Sequence, residues 1–320
     1  MKRMVTRGNI ALVVGAGVLI FLVLTFLGKA GKVESAFATF DWRYLPLVLA
    51  LSLGNYLVRF LRWQYYLRQV GVRLGRLRSL MVFMGGLTMS VTPAKLGELI
   101  KSYLLWEREK VPVGVSAPVV LAERVTDSTA IVLLTLAGVG LFPYRWEIWT
   151  VTAVVAVVLV LLVGFRKRLM GRLARRFGQM SLAADSGGLG GMQEAMETIL
   201  RPSSVAAGTV IGAVAWFLEC LGLYLVVKGF GHGADITLAQ STFAYAFATF
   251  AGALAFIPGG LGVAEGSIAG LLLLMGVARP VAASATILVR VCTLWFAVGL
   301  GAIFLLAAGK GPRAKPPTQA

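Results

Sequence analysis

The sequence predicts an all-α polytopic membrane protein, a single transmembrane domain over 1–320. Three observations predict it. First, 58% of the 320 residues are hydrophobic and only 14% are charged, whereas soluble domains run about 45–50% apolar and about 25% charged. Second, apolar runs of roughly 20 residues recur along the chain, the length a helix needs to cross a hydrocarbon core about 30 Å thick. Third, Lys and Arg gather between these runs and bring the net charge to +17. In a soluble chain that charge would suggest nucleic acid. Here it fits basic residues on the inner side of a membrane, facing anionic head groups. Nothing in the sequence resembles an aromatic-basic nucleic-acid module, and no nucleic-acid partner is expected.

The elements follow in order. A basic N-terminus (Lys2, Arg3, Arg7) precedes an apolar run, Ile10 to about Gly28. That run is longer than a signal-peptide core and no A-x-A site follows, so it reads as a retained first span. A short amphipathic stretch, "KVESAFATFDW", leads to a second span, about Tyr44–Leu67, which ends among Arg59, Arg62, Arg68, Arg73, Arg76 and Arg78. Leu80 to Ser90 is apolar but too short to cross. It breaks at Pro93 and resumes as "LGELIKSYLLWERE", which reads as a re-entrant hairpin or discontinuous helix.

A span over about Ser116–Phe142 carries Glu123, Arg124 and Asp127, and "PYRWE" forms a tight turn before a span over Trp146–Phe165. "RKRLMGRLARR" then has helical period, with Leu169, Leu173 and Phe177 among cations. It is expected to lie on anionic lipid within a cytoplasmic interfacial segment, 166–202. "SGGLGG" reads as a flexible link inside that segment. A long span, about Val205–Phe230, contains Glu219. "STFAYAFATFAGALAF" breaks at Pro258-Gly259-Gly260 and resumes as "SIAGLLLLMG". The last span, about Val281–Ala308, contains Arg290, and a basic tail, 309–320, is expected to be disordered.

The two breaks align. Pro258 and Leu261-Gly262 stand about 165 residues after Pro93 and Leu96-Gly97, with Glu98 and Glu265 just beyond each Gly. Arg290-Val291 follows Arg124-Val125 by nearly the same interval, and Arg59 and Glu219 lie mid-way along equivalent spans. The chain therefore reads as repeat A, about 9–142, and repeat B, about 146–308. If each hairpin returns to its side of entry, one half crosses three times and the second half is inverted. With both termini in the cytoplasm, the basic clusters at 2–7, 59–78, 101–110, 166–176 and 310–315 all fall inside. The expectation is two inverted-topology repeats, about six full transmembrane helices and two re-entrant hairpins. In the alternative, both hairpins span fully. Broken helices at matching positions of inverted halves mark transporter substrate sites, where helix N-termini suit an anionic group.

An ionisable residue in a span is costly unless paired or hydrated. Each one here has a structural and a functional reading. Glu98, between Lys95 and Lys101, makes either a helix-surface ladder or part of a substrate site. Glu265, with no basic neighbour in sequence, takes a distant partner or caps the resumed helix. Glu123 and Asp127 share one face beside Arg124 and should turn to the bundle interior. Arg290 is the best candidate to grip a phosphate or carboxylate by its planar fork, or else it pairs with Glu265 or Glu219. Arg59 is expected to be interior and Glu219 buried, while Arg62, nearer the end of its span, could snorkel. Gly259, Gly260 and Gly262 expose backbone groups at the second break. Cys220 and Cys292 lack partners and, with the sole His232 in a loop, leave no metal site expected. No nucleophile–base arrangement and no phosphate-binding loop appear, so no cofactor and no enzyme activity are expected.

"RFLRWQYYL", "TPAKLGELIK", "AERVTDS" and "PGGLGVAEG", in this order and spacing, resemble the lysylphosphatidylglycerol synthase transmembrane region, also called the flippase-like or UPF0104 family. The resemblance covers about 10–308. It implies lipid translocation between leaflets, and it carries over onto Glu98, Glu123, Arg124, Asp127, Gly262 and Glu265. Lys95 and Lys101 stand where the family often has Arg, which argues against bidentate phosphate gripping at those two positions. The chain has no soluble aminoacyl-transferase domain, so lysylation of lipid by this chain is not expected.

The function expected is a flippase-like transporter in the cytoplasmic (inner) membrane. It would pass the head group of a phospholipid or other anionic, zwitterionic or aminoacylated lipid through a polar central cavity, with Glu265, Glu98 or Asp127 as candidate proton carriers. A homo-oligomer or a lipid-modifying enzyme is the kind of protein partner this suggests. A sealed pathway would instead favour an ion-coupled transporter of a small hydrophilic solute. Covalently altered lipid would favour a membrane-embedded enzyme or accessory of lipid modification.

Overall fold

A computed structural model describes residues 36–92, 97–139, 188–231 and 235–308. All regular structure among them is helical. In chain order the helices are α1 (Tyr44–Gln69), α2 (Arg76–Leu87), α3 (Ile100–Glu109), α4 (Val113–Val139), α5 (Gly188–Ile199), α6 (Pro202–Gly229), α7 (Leu238–Leu254), α8 (Val263–Leu274), α9 (Arg279–Arg290) and α10 (Phe296–Ala308). Among the described residues, three stretches are long and apolar enough to cross a membrane: Tyr44–Gln69, Pro202–Gly229 and Arg279–Ala307. The 27-residue α4 has the length as well, but carries Glu123, Arg124 and Asp127. The expected spans at 10–28 and 146–165, the tail at 309–320, Lys95 and His232 lie outside the described residues.

Local chemistry sets the boundaries. Pro202 starts α6 at a position where its missing N–H costs nothing. Thr237 and Gln240 close a reciprocal capping box at the start of α7. The "SGGLGG" link is corrected in part, because Gly188–Gly191 open α5. The cause lies downstream. Met192, Ala195, Met196 and Ile199 recur at helical spacing and are all buried, and α5 packs on α4. Burying that stripe outweighs the low helix propensity of glycine.

The backbone turns at both places among the described residues; 93–96, within the first break, lie outside them. After α2 the chain tightens into a 3₁₀ turn, Thr88–Val91. After α7 it passes Phe256 at φ 53° and a 3₁₀ turn, Pro258–Gly260. Gly259, Gly260 and Gly262 have φ of 63°, 65° and 85°, a region that L side chains enter only at a cost. α2 packs against α3 and α7 against α8. The two breaks touch, because a Cβ placed on Gly259 would lie 3.5 Å from Val91.

α1 and α6 form the central pair. They run antiparallel, since Tyr66 donates to the Ser204 carbonyl and Asn55 donates to the Ala215 carbonyl. Two apolar cores flank this pair. One joins Val48, Trp216, Leu223, Tyr245, Ile268 and Leu288. The other joins Tyr56, Trp63, Phe83, Leu104, Val120 and Ala297. Cys220 and Cys292 are buried free thiols, as expected of small core residues.

Close approach of α1 and α6 depends on two glycines. A Cβ on Gly208 would collide with the Tyr66 hydroxyl, and one on Gly212 would stand 2.7 Å from Arg62 Nη1. Gly208→Val should destabilise the protein by about 1–3 kcal/mol through overpacking. The measurement is a thermal melt of the detergent-solubilised protein. Gly266→Ala is the control, expected to leave the melt unchanged, because its Cβ would meet nothing within 4 Å.

Candidate functional site

The first break is held by a buried ion network. Glu98 sits just past the break, fully buried. Three cations converge on it: Arg59 Nη2 at 3.3 Å, Lys101 Nζ at 3.0 Å and Arg124 Nη2 at 3.2 Å. Each comes from a different helix, α1, α3 and α4. Lys101 also donates to Glu123 Oε2 at 2.6 Å. Arg124 reaches Asp127 Oδ2 at 3.0 Å. Arg62 Nη2 donates to Asp127 Oδ1 at 2.6 Å, and Trp216 Nε1 donates to the same oxygen at 3.1 Å.

Four cations thus face three carboxylates. Glu219 approaches from α6, close enough to act on Arg59 electrostatically, and accepts a hydrogen bond from Tyr245 at 2.7 Å. Aromatic faces complete the cage. The Lys101 ammonium lies 4.9 Å from the Trp63 ring and 5.1 Å from that of Phe83. Arg59 lies 5.9 Å from the Trp216 ring. A cation removed from water is attracted to such faces.

The second break has its own pair. Arg290 Nε donates to Glu265 Oε1 at 2.6 Å, and its Nη2 donates to the Gly259 carbonyl at 2.7 Å. The other carboxylate oxygen, Glu265 Oε2, accepts the Gly262 N–H at 2.7 Å and so caps α8. Directly after Arg290 the helix loosens into a π turn, Val291–Trp295, a device that often marks functional positions.

At both breaks an arginine of a later helix grips the glutamate that follows: Arg124 of α4 with Glu98, and Arg290 of α9 with Glu265. The two pairs differ in access. The carboxylates carry the difference, Glu98 being 0% and Glu265 15% exposed, while the arginines, Arg124 at 16% and Arg290 at 9%, are comparable. An anion could exchange with the carboxylate at the second break more readily than at the first.

The structure brings Arg59, Glu98, Lys101, Glu123, Arg124 and Asp127 into one network, and Arg290, Glu265, Gly259 and Gly262 into a second group. Glu219 lies beside this network, near Arg59, and is held by Tyr245. Gly260 makes no polar contact of this kind; it packs on Gly252, where a Cβ would lie 3.0 Å from the Gly252 Cα. The snorkelling position expected for Arg62 is corrected. Its side chain is 0% exposed, because Asp127 supplies a charge partner and Gly212 leaves room for the guanidinium. Trp216, Tyr245 and Trp63 were not singled out from sequence. Trp63 is the fourth residue after Arg59, on the same helical face, which is the one signal that could have found it.

The family description "Lysylphosphatidylglycerol synthase TM region" matches residues 10–301. A UPF0104 membrane protein of Methanothermobacter thermautotrophicus is 25% identical over 93% of this chain and 95% of its own length. A second UPF0104 membrane protein of that organism is 24% identical, covering 89% of each chain. One from Methanocaldococcus jannaschii is 25% identical over 44% of this chain.

Proposed function

The chain belongs to the lysylphosphatidylglycerol synthase transmembrane-region family, and from that premise we propose that it is a flippase-like lipid transporter. A phospholipid with an anionic or aminoacylated head group passes between leaflets, its head group travelling past the two helix breaks while its tails stay in the bilayer. The observation that carries this reading is the meeting of the two breaks, each with a glutamate held by an arginine from a later helix. Such an arginine can trade its carboxylate for a substrate phosphate, and at the second break the released Glu265 keeps the Gly262 N–H and is 15% exposed.

The inverted-repeat reading is part of the proposal. Asn55 and Ala215, which hydrogen-bond to each other, are 160 residues apart, nearly the interval that relates the two breaks. Equivalent positions of α1 and α6 therefore meet, as they must on a pseudo-two-fold axis. The packing follows the same exchange: α2 lies on α10 and α7 on α4. The mutual packing of α2 with α3, and of α7 with α8, supports two re-entrant hairpins. The basic clusters support a cytoplasmic-membrane location with both termini inside. The acids of the site are engaged by cations, an arrangement that supports binding and exchange of a charged group rather than covalent chemistry.

The test is a leaflet-exchange assay with the purified protein in liposomes and a panel of labelled phospholipids. An anionic or aminoacylated lipid should exchange faster than in protein-free liposomes, and a zwitterionic control less so. Uptake of a small solute with no lipid movement would replace this reading with the solute-transporter one.

A further inference from the structure

A second site lies away from the ion network, on the outer face of α1. A groove of about 590 Å³ is lined by Phe60, Leu61, Gln64, Arg68, Gln69 and Arg76, within the size range of small-molecule sites. Its upper rim is basic, because Arg68 ends α1 and Arg76 opens α2. Neither has a carboxylate partner among the described residues, whereas nearby Arg78 pairs with Glu109 at 3.5 Å. Its wall is mainly apolar, with Phe60 and Leu61 among the lining residues.

Below the groove the surface turns apolar. Leu61, Leu57 and Leu53 stand at successive helical turns, 62%, 45% and 39% exposed. α1 is the least enclosed of the three spanning stretches, with 28% of its apolar window buried against 50% for the other two.

We propose that this groove is a binding site for a phospholipid of anionic head group. The phosphate sits between Arg68 and Arg76, and one acyl chain follows Leu61, Leu57 and Leu53. Charge complementarity selects the anion, and the leucine stripe selects a lipid over free phosphate. The site is occupied whether or not the chain moves lipid, so it stands independently of the translocation reading.

Native mass spectrometry of the full chain in detergent tests it, with phosphatidylglycerol and phosphatidylcholine as probes. The wild type should hold one more phosphatidylglycerol than Arg68→Gln/Arg76→Gln, whose affinity for that lipid falls roughly thirtyfold. Arg68→Lys/Arg76→Lys should keep most of the binding. Excess inorganic phosphate should not displace the lipid. All three proteins should melt alike, since both arginines are exposed. Equal phosphatidylglycerol binding by the wild type and the double Gln variant would overturn the proposal. So would equal affinity for phosphatidylcholine, displacement by phosphate, or a groove that takes no lipid because a segment of the chain covers it.

Discussion

Glu98→Gln will destabilise the protein by about 3–5 kcal/mol, the cost of removing one member of a buried ion set. The geometry explains the size. Glu98 is the carboxylate on which Arg59, Lys101 and Arg124 converge, and it is fully buried. A neutral amide keeps the shape but leaves three cations short of one negative charge. Neither solvent nor lipid can make good that loss at this depth. Thermal or denaturant unfolding in detergent reads the effect directly. Adding Arg59→Met to the Glu98→Gln chain should recover part of the loss, because Arg59 has lost its carboxylate partner there, whereas Lys101 still holds Glu123. A Glu98→Gln protein as stable as the wild type would mean that the network contributes nothing to the fold.

Arg290→Ala should act differently, with a modest effect on stability and a large one on transport. Its guanidinium bridges Glu265 and the Gly259 carbonyl, so it joins the carboxylate and the open backbone of the second break. Glu265 keeps the Gly262 N–H and is 15% exposed against 0% for Glu98, which makes the cost of leaving it without its arginine smaller than that at Glu98. For a head-group phosphate, loss of a charge-assisted, two-pronged donor should slow exchange about ten- to hundredfold. Arg290→Lys should fall between the two, since lysine keeps the charge and loses the fork. If Arg290→Lys were as slow as Arg290→Ala, the fork rather than the charge would be the essential part.

Much of this arrangement is legible in the sequence, for physical reasons that can be named. The breaks show because Pro258 and three left-handed glycines cannot continue a helix. The interior face of α4 shows because Glu123 and Asp127 are one turn apart and too costly to face lipid. The pairing of Arg290 with Glu265 was one of two alternatives, because a lone arginine in a span needs a partner and a resumed helix needs a cap.

The rest depends on which helices meet, and periodicity does not carry that. Arg62 reads as a snorkelling residue until Gly208 and Gly212 bring α6 close and Asp127 arrives from α4. Trp216 is an apolar residue in a long apolar span, and its donation to Asp127 and the Arg59 guanidinium over its ring make it part of the site. The π turn after Arg290 has no sequence signature comparable to a proline. The helix at Gly188–Ile199 was obscured by glycines whose weak propensity is overruled by a buried methionine-rich stripe.

The central claim is that a lipid head group passes the two joined breaks under the hold of Arg290. One measurement addresses it most directly: the rate at which a labelled anionic phospholipid crosses between leaflets of liposomes holding wild-type or Arg290→Ala protein at equal density. The wild type should raise the rate above that of protein-free liposomes, and Arg290→Ala should return it most of the way to that baseline while remaining folded. Equal rates for wild-type and protein-free liposomes, or equal rates for the wild type and Arg290→Ala, would contradict the claim.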